Sequence, residues 1–381
     1  MTSPTNAARL QHLKDTAAYE MPQVAHRVTP NTVENEAGTV LYTGGGSLEF
    51  ALANLTLGPN DFVIVEDGLY PPPGKVSGLG GGTFIARTKH GVEIDVPSGD
   101  NALYTPDGGL VRETTFRGFR WNSGRLATWS TLSEKPPYRV NWRDCIIDGG
   151  YDHANRTGRD TKWGLNGHRW SGYMADCHVR NHYREHGAYI HTPEDDLLIA
   201  GCLFEKNGRT AMQVVGRTTE STGKPGAGYA DVEVNIHRST ARNNGLKDGG
   251  QAWTFAGVRD ILIDGGSESF IGDDRDFRDR YMETHPEIPV FGRGHLVVWD
   301  DKGRAGYAEN VVLEDVNFKS WPGDGWSPAV QVTASDRLVV RGRVYVEVGY
   351  QPTAFLLKYG MAVDTSGLGD YRLAGDIVLT P

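Results

Sequence analysis

Between Met174 and Gly216 the sequence repeats itself. The line Cys177-His178-Val179-Arg180-Asn181, followed by His186-Gly187-Ala188-Tyr189-Ile190-His191, lies residue by residue over a second line. That second line is Cys202-Leu203-Phe204-Glu205-Lys206-Asn207, followed by Arg209-Thr210-Ala211-Met212-Gln213-Val214. Each line holds a short strand, an Asn/Gly corner and another short strand. Asp196-Leu197-Leu198-Ile199-Ala200-Gly201 is a third strand running into the next cysteine. Alternation with a period of two, broken by Gly, Asn and Asp, is a strand signal and not a helix signal. Three strands and three corners per line make one turn of a solenoid, in which a rung buries its apolar face only by stacking on its neighbours.

Followed outward, the cysteine position is expected at Gly118, Cys145, Cys177, Cys202, Ser239, Gly266, Val316 and Gly342, with gaps of 27, 32, 25, 37, 27, 50 and 26. The base step is near 26, and the longer gaps read as one rung with an insertion or as two rungs. A second marker, an alanine opening the later strand, recurs at Ala188, Ala211, Ala252, Ala329 and Ala354. Its phase places Tyr189, Met212, Trp253, Val330 and Phe355 inward and Ile190, Gln213, Thr254, Gln331 and Leu356 outward. Insertions are expected near 151–173, 216–229 and 272–294. Ser47-Leu48-Glu49-Phe50-Ala51-Leu52 reads as a short amphipathic helix capping the first rung, whose open edge would otherwise template aggregation. Residues 1–46 lack the rung pattern and read as an arm with a short helix over Ala7–Tyr19, able to dock on a neighbouring subunit.

The expected fold is therefore all-β: a single-stranded right-handed parallel β-helix, three strands per rung, over 47–381. With these rungs the chain resembles the right-handed parallel β-helix proteins of the pectin-lyase-like superfamily, which include pectate lyases, other polysaccharide lyases and hydrolases, and phage tailspikes. The resemblance covers roughly residues 46–381 and rests on the rung pattern, which speaks to fold more than to reaction. It implies a surface polysaccharide or other virion proteins as partners and a homotrimer as the assembly.

The net charge is −9, with 39 Lys and Arg against 48 Asp and Glu, and no basic run offers a nucleic acid its phosphate contacts. No stretch approaches the 18 or so apolar residues that span a bilayer. The first 30 residues, with Arg9, His12, Lys14, Asp15 and Glu20 among them, lack the apolar centre of a signal peptide. Synthesis in a host cytoplasm and display on a virion are expected. Cys145, Cys177 and Cys202 are odd in number and stack at one inward position, so buried thiols are expected and not a disulfide.

Glycan chemistry needs two carboxylates about the glycosidic bond, or a base with a cation that neutralises a uronate. Glu185 and His186 stand at the corner one rung from Arg209, which offers the second set; Asp248, Asp300 and Glu205 extend the carboxylates. Gln213, Thr254 and Gln331 are expected to floor the groove, and Trp163 and Trp170, with Trp321 and Trp326, to stack on sugar rings. Val297-Val298-Trp299-Asp300-Asp301 is similar to a Trp-Ile-Asp-His segment of pectate lyases, with Asp301 in place of the histidine. His178, His182 and His186 are spaced four apart, but on strand and corner their rings diverge, so solvated rung-edge histidines are expected and no metal or cofactor. These features lead to a bacteriophage virion-associated β-helix in contact with host-surface glycan or neighbouring virion proteins. The alternatives are a polysaccharide lyase or glycoside hydrolase, and a purely structural spacer.

Overall fold

The computed structural model describes residues 5–74, 79–96, 101–102, 113–122, 125–128, 138–161, 164–168, 170–191, 193, 195–216, 230–247, 251–288, 290–299, 308–325, 327–350, 352–358, 360–374 and 376–380. The chain is a parallel β-helix. One rung runs Trp170–Ala175, His178–Arg180 and Ala188–His191, and the next runs Leu197–Ala200, Leu203–Glu205 and Met212–Val215. Each strand pairs in parallel with its counterpart one rung on. The third strands of the rungs form a ten-stranded sheet from Asn101–Ala102 to Asp376–Thr380, and the first and second strands wrap the other two sides.

Parallel pairing puts like above like. Val63, Phe84, Phe116, Trp142, Met174, Ile199, Ile236, Ile263, Leu313 and Val340 are successive members of one column, and all are buried in the central core. The cysteine position is likewise one column, but with different members at three points. Strand register places Phe119, Cys145, Cys177, Cys202, Ser239, Ser267, Val316 and Val344 there, all buried. The expected Gly118, Gly266 and Gly342 sit one or two residues early because they form the corner itself. The wide gap after Ser239 and Ser267 holds one rung, since Glu268 pairs directly with Asn317; the two-rung reading of that gap is corrected. The three cysteines are free and buried.

The corner between first and second strands is a single left-handed residue: Asp144, Asp176 and Asp315 have φ of 54°, 52° and 51°. Where the rung above is glycine, the aspartate side chain folds over it; a Cβ on Gly201 would stand 2.5 Å from Asp176 Oδ1, so the pair needs glycine there. The first expected insertion shrinks to a small hairpin, Tyr151–Asp152 against Thr157–Gly158. Leu165–His168 and Trp170–Ala175 are regular rung strands. Most of the second, 217–229, lies outside the described residues. The third carries a helix, α3 (Arg275–Thr284), capped by Asp274 and tied down by Arg278 to the buried Asp324 at 2.6 Å.

Residues before 47 are more structured than the sequence suggests. Helix α1 (Asn6–Asp15) lies along the first strands of the rod, with Leu10 and Leu13 over Tyr173, Ala175, Leu198 and Ala200. Arg143 donates to the carbonyls of Leu13 and Thr16, Arg117 to those of Ala17 and Ala18, and Tyr19 to that of Ala86. The arm thus runs down its own rod. It ends in His26–Val28, which pairs in parallel with Phe62–Val65 and opens an antiparallel meander through Thr32–Glu34 and Val40–Thr43. Helix α2 (Ser47–Asn54) then buries Leu48, Ala51 and Leu52 on the core, the cap expected from its apolar spacing.

The first rungs enclose an aromatic stack, with Phe116 within 5.0–5.9 Å, centroid to centroid, of Phe84, Phe119, Trp121 and Trp142. Phe116→Ala is expected to cost about 3–5 kcal/mol, the range for emptying a packed aromatic site, measured as a shift in denaturant midpoint; a cost under about 1 kcal/mol would contradict this packing.

Candidate functional site

The outward face of the ten-stranded sheet is read from its register. Ala188 pairs with Met212, not with Ala211, so Gly187 and not Ala188 takes the alanine's place in that rung. The phase therefore turns over at this strand: Ile190 is fully buried and Tyr189 is outward, the reverse of the expectation. Asn166, Tyr189, Gln213, Thr254, Val297, Gln331 and Leu356 form one outward column. A second column runs through His191, Val215 and Ala256 and reaches Trp299, whose N–H bonds Phe255 O.

At the edge of this face the corner residues meet as the sequence anticipates. Arg209 N–H donates to Glu185 O at 2.9 Å, and Arg209 Nη1 stands 2.9 Å from Glu185 Oε2. His186 Nε2 is 3.7 Å from the same carboxylate oxygen. The ring of His186 is 5 % exposed. Its Nδ1 accepts from Thr210 N at 3.3 Å and lies 2.5 Å from Thr210 Oγ1, a network that assigns the proton to Nε2. Burial, and after it the Arg209 charge, pushes this imidazole down to about 3. It is neutral at physiological pH, and its Nε2, 3.7 Å from Glu185, is beyond hydrogen-bond reach of that carboxylate.

Beyond the corner lies a patch the sequence reading missed. Val215 and Ala256 are buried side by side with the rings of Tyr189 and Trp299 packed on them. Tyr189 is flanked by His186 and His191 at 4.9 and 3.8 Å between ring centroids. In the neighbouring column Thr254 is 5 % exposed. Its Oγ1 and the Trp299 Nε1 are buried atoms with no hydrogen-bond partner among the described residues, a state that costs free energy until a partner arrives. The signal that would have exposed this patch is the apolar column Ile190, Val214, Phe255, Val298, Val332, Leu357; taking the phase from it turns Tyr189 outward.

The remaining expected residues fare differently. Gln213 and Thr254 are adjacent on the floor, and Gln331 is two rungs beyond Thr254, with Val297 between. Trp170 is no ligand platform: it is fully buried and its Nε1 donates to Val140 O at 2.7 Å. Glu205 faces another side, 3.5 Å from His178. Trp163, Asp248, Asp300 and Trp326 lie outside the described residues. His182 and His186 are buried and not solvated, because the corners between second and third strands turn inward. Among the described residues no group of three or more His, Cys, Asp or Glu is placed to hold a metal ion.

No protein-family model matches the chain, and no curated protein matches it. Several solved structures are similar to it, three of them as follows. Pectate lyase Pel9A shares 13 % identity at a TM-score of 0.48, over 91 % of this chain and 78 % of that one. A GH136 lacto-N-biosidase from Eubacterium ramulus shares 9 % at 0.39, over 97 % and 69 %. The Dettilon tailspike protein shares 10 % at 0.24, over 82 % and 62 %. No activity passes to this chain on likenesses of that size.

Buried histidines make the fold sensitive to acid. Burial is the leading cause that lowers His153 and His182 to about 4 and His186 and His295 to about 3. An unfolded histidine protonates near about 6.5. Below that pH the unfolded chain binds protons that the folded chain refuses, so stability falls as pH drops from about 6.5 toward 4, by about 1.4 kcal/mol per unit for each ring. Urea midpoints at pH 7.5, 6 and 5 are expected to decline steeply, and less steeply in His295→Gln; a flat profile would show these rings to be solvated.

Proposed function

We propose that this protein is a carbohydrate-binding β-helix carried on a bacteriophage particle, which contacts a surface polysaccharide through the outward face of its ten-stranded sheet. The observation that carries this reading is the patch between Tyr189 and Trp299. Two partly exposed aromatic rings pack over the buried Val215 and Ala256. The adjacent column supplies the half-buried Gln213 amide. Apolar rings for the C–H face of a pyranose, beside fixed polar groups for its hydroxyls, are what sugar recognition requires. The virion setting is supported by the rung-built rod, in which the chain resembles tailspikes.

The enzymatic reading has one observation in its favour, the carboxylate of Glu185 and the guanidinium of Arg209 paired at the edge of the same face. The neutral, hydrogen-bonded His186 weighs against it as the base.

A panel of capsular, neutral and uronate glycans separates the readings. Binding without new reducing ends or absorbance near 235 nm is expected, and Tyr189→Ala should weaken it at least about tenfold, with Glu185→Gln having a smaller effect. Cleavage that disappears in Glu185→Gln would move the assignment to a lyase or hydrolase, and no binding at all would leave a structural spacer. Mass spectrometry of purified phage particles should find the chain; its absence from them would remove the virion setting.

A further inference from the structure

The arm helix covers only part of the column it lies on. On the side of the rod built from first strands, one outward column runs Tyr173, Leu198, Asn235, Leu262, Val312, Val339, with one residue per rung. Leu10 and Leu13 of α1 pack over Tyr173 and Leu198, and Asn6, at the helix start, reaches Glu233 in the rung of Asn235. Beyond that point the column is an apolar stripe of three rungs, Leu262, Val312 and Val339, each partly exposed. Among the described residues these three belong to none of the apolar clusters that pack the rest of the molecule.

The charges beside the stripe are sorted by rung. Alternation turns outward the residues two before and two after each apolar member. The Leu262 rung is flanked by Asp260 and Asp264, the Val312 rung by Asn310 and Glu314, and the Val339 rung by Arg337 and Arg341. One end of the stripe is thus acidic on both flanks and the other basic on both, about 10 Å apart over two rung steps. Arg259, 2.6 Å from Asp260, and the exposed Asp336 beside Arg337 reduce this contrast without reversing it. Arg337 and Arg341 pair with Asp364 and Glu314 yet keep 49 % and 48 % of their side chains exposed, so each can take a further carboxylate.

Such a patch is complementary to itself in one orientation. Turned over about a two-fold axis that lies along the strand direction at Val312, a second copy sets its Val339 rung over the Leu262 rung of the first. Asp260 then faces the partner's Arg337 and Asp264 the partner's Arg341, both twice by symmetry, with the apolar stripes in contact between them. Glu314, which meets its own copy beside the axis, is already held by Arg341 at 2.7 Å. Rods pointing the same way, about a two-fold or a three-fold parallel to the rod, put like rungs together, acid against acid and base against base, which costs free energy.

We propose that this stripe is a self-association face through which two copies of the chain pair as antiparallel rods, sheet on sheet. A contact of three rungs is small beside the roughly 800 Å² per partner of a stable interface, so the pair forms and separates with concentration and weakens with salt. The face is on a different side of the rod from the Tyr189–Trp299 patch and stands independently of the function proposed for that patch.

Sedimentation equilibrium of the full chain over a concentration series, at low and high salt, tests it. A monomer–dimer equilibrium is expected, loosened by salt and weakened at least about tenfold in Val312→Glu, which sets two carboxylates face to face at the axis. Arg337→Glu, at an exposed position, is expected to weaken it by a similar factor and serves as the second variant should Val312→Glu melt early. Orientation is read from Asn310→Cys, because Asn310 faces its own copy only in the antiparallel pair, where a short bismaleimide should join the two chains. A chain that stays monomeric at every concentration, a trimer, a dimer that neither charge substitution loosens, or a dimer in which Asn310→Cys chains are not joined would each overturn the proposal.

Discussion

The hydrogen-bond ladder between successive rungs is the constraint on which the rest depends. Backbone groups of one turn are satisfied by the turns before and after it, at a spacing of about 4.8 Å. Side chains therefore stack in columns, and each interior column must be apolar along its whole length. The column from Val63 to Val340 meets that demand with large rings in the early rungs and aliphatic side chains after Met174. In the cysteine column the polar members are bonded by a neighbouring rung: Ser267 Oγ accepts from Ser239 N, and Ser239 Oγ from Cys202 N.

Because the ladder carries the fold, corners are free to vary as long as they return the chain to register. The left-handed corners at Asp144, Asp176, Asp315 and Gly342 do this in one residue, whereas those between second and third strands absorb a hairpin and a helix without disturbing the column behind them. The same freedom leaves the outward columns open to variation: each offers one side chain per rung, and the Tyr189–Trp299 patch spans two adjacent columns of the ten-stranded sheet.

Electrostatics at the edge of that patch follow from packing. The corner holding His186 is drawn in far enough that the imidazole gives up its charge and is held by Thr210. Glu185 keeps its charge partner in Arg209 at 2.9 Å. Beyond them the rings of Tyr189 and Trp299 cover the buried Val215 and Ala256.

Strand period, rung length, the buried cysteines, the capping helix at Ser47 and the meeting of Glu185 with Arg209 were all legible in the chain, because each follows from local alternation and from one line lying over the next. The departures have more than one cause. Gly118 and Gly266 stand one residue before the true members of the cysteine column and Gly342 two, and Tyr189 faces outward because a single-residue slip in a period of two exchanges the two faces. Trp170 was taken for a platform because its strand looked like part of an insertion. Apolar alternation dictates that such a chain must coil and stack, since no rung can hide its own apolar face. Which residue stands over which, which histidines lose their charge and where the arm lies depend on backbone bonds between rungs and on side-chain bonds between residues as far as 227 apart, and only the assembled rod brings those segments together.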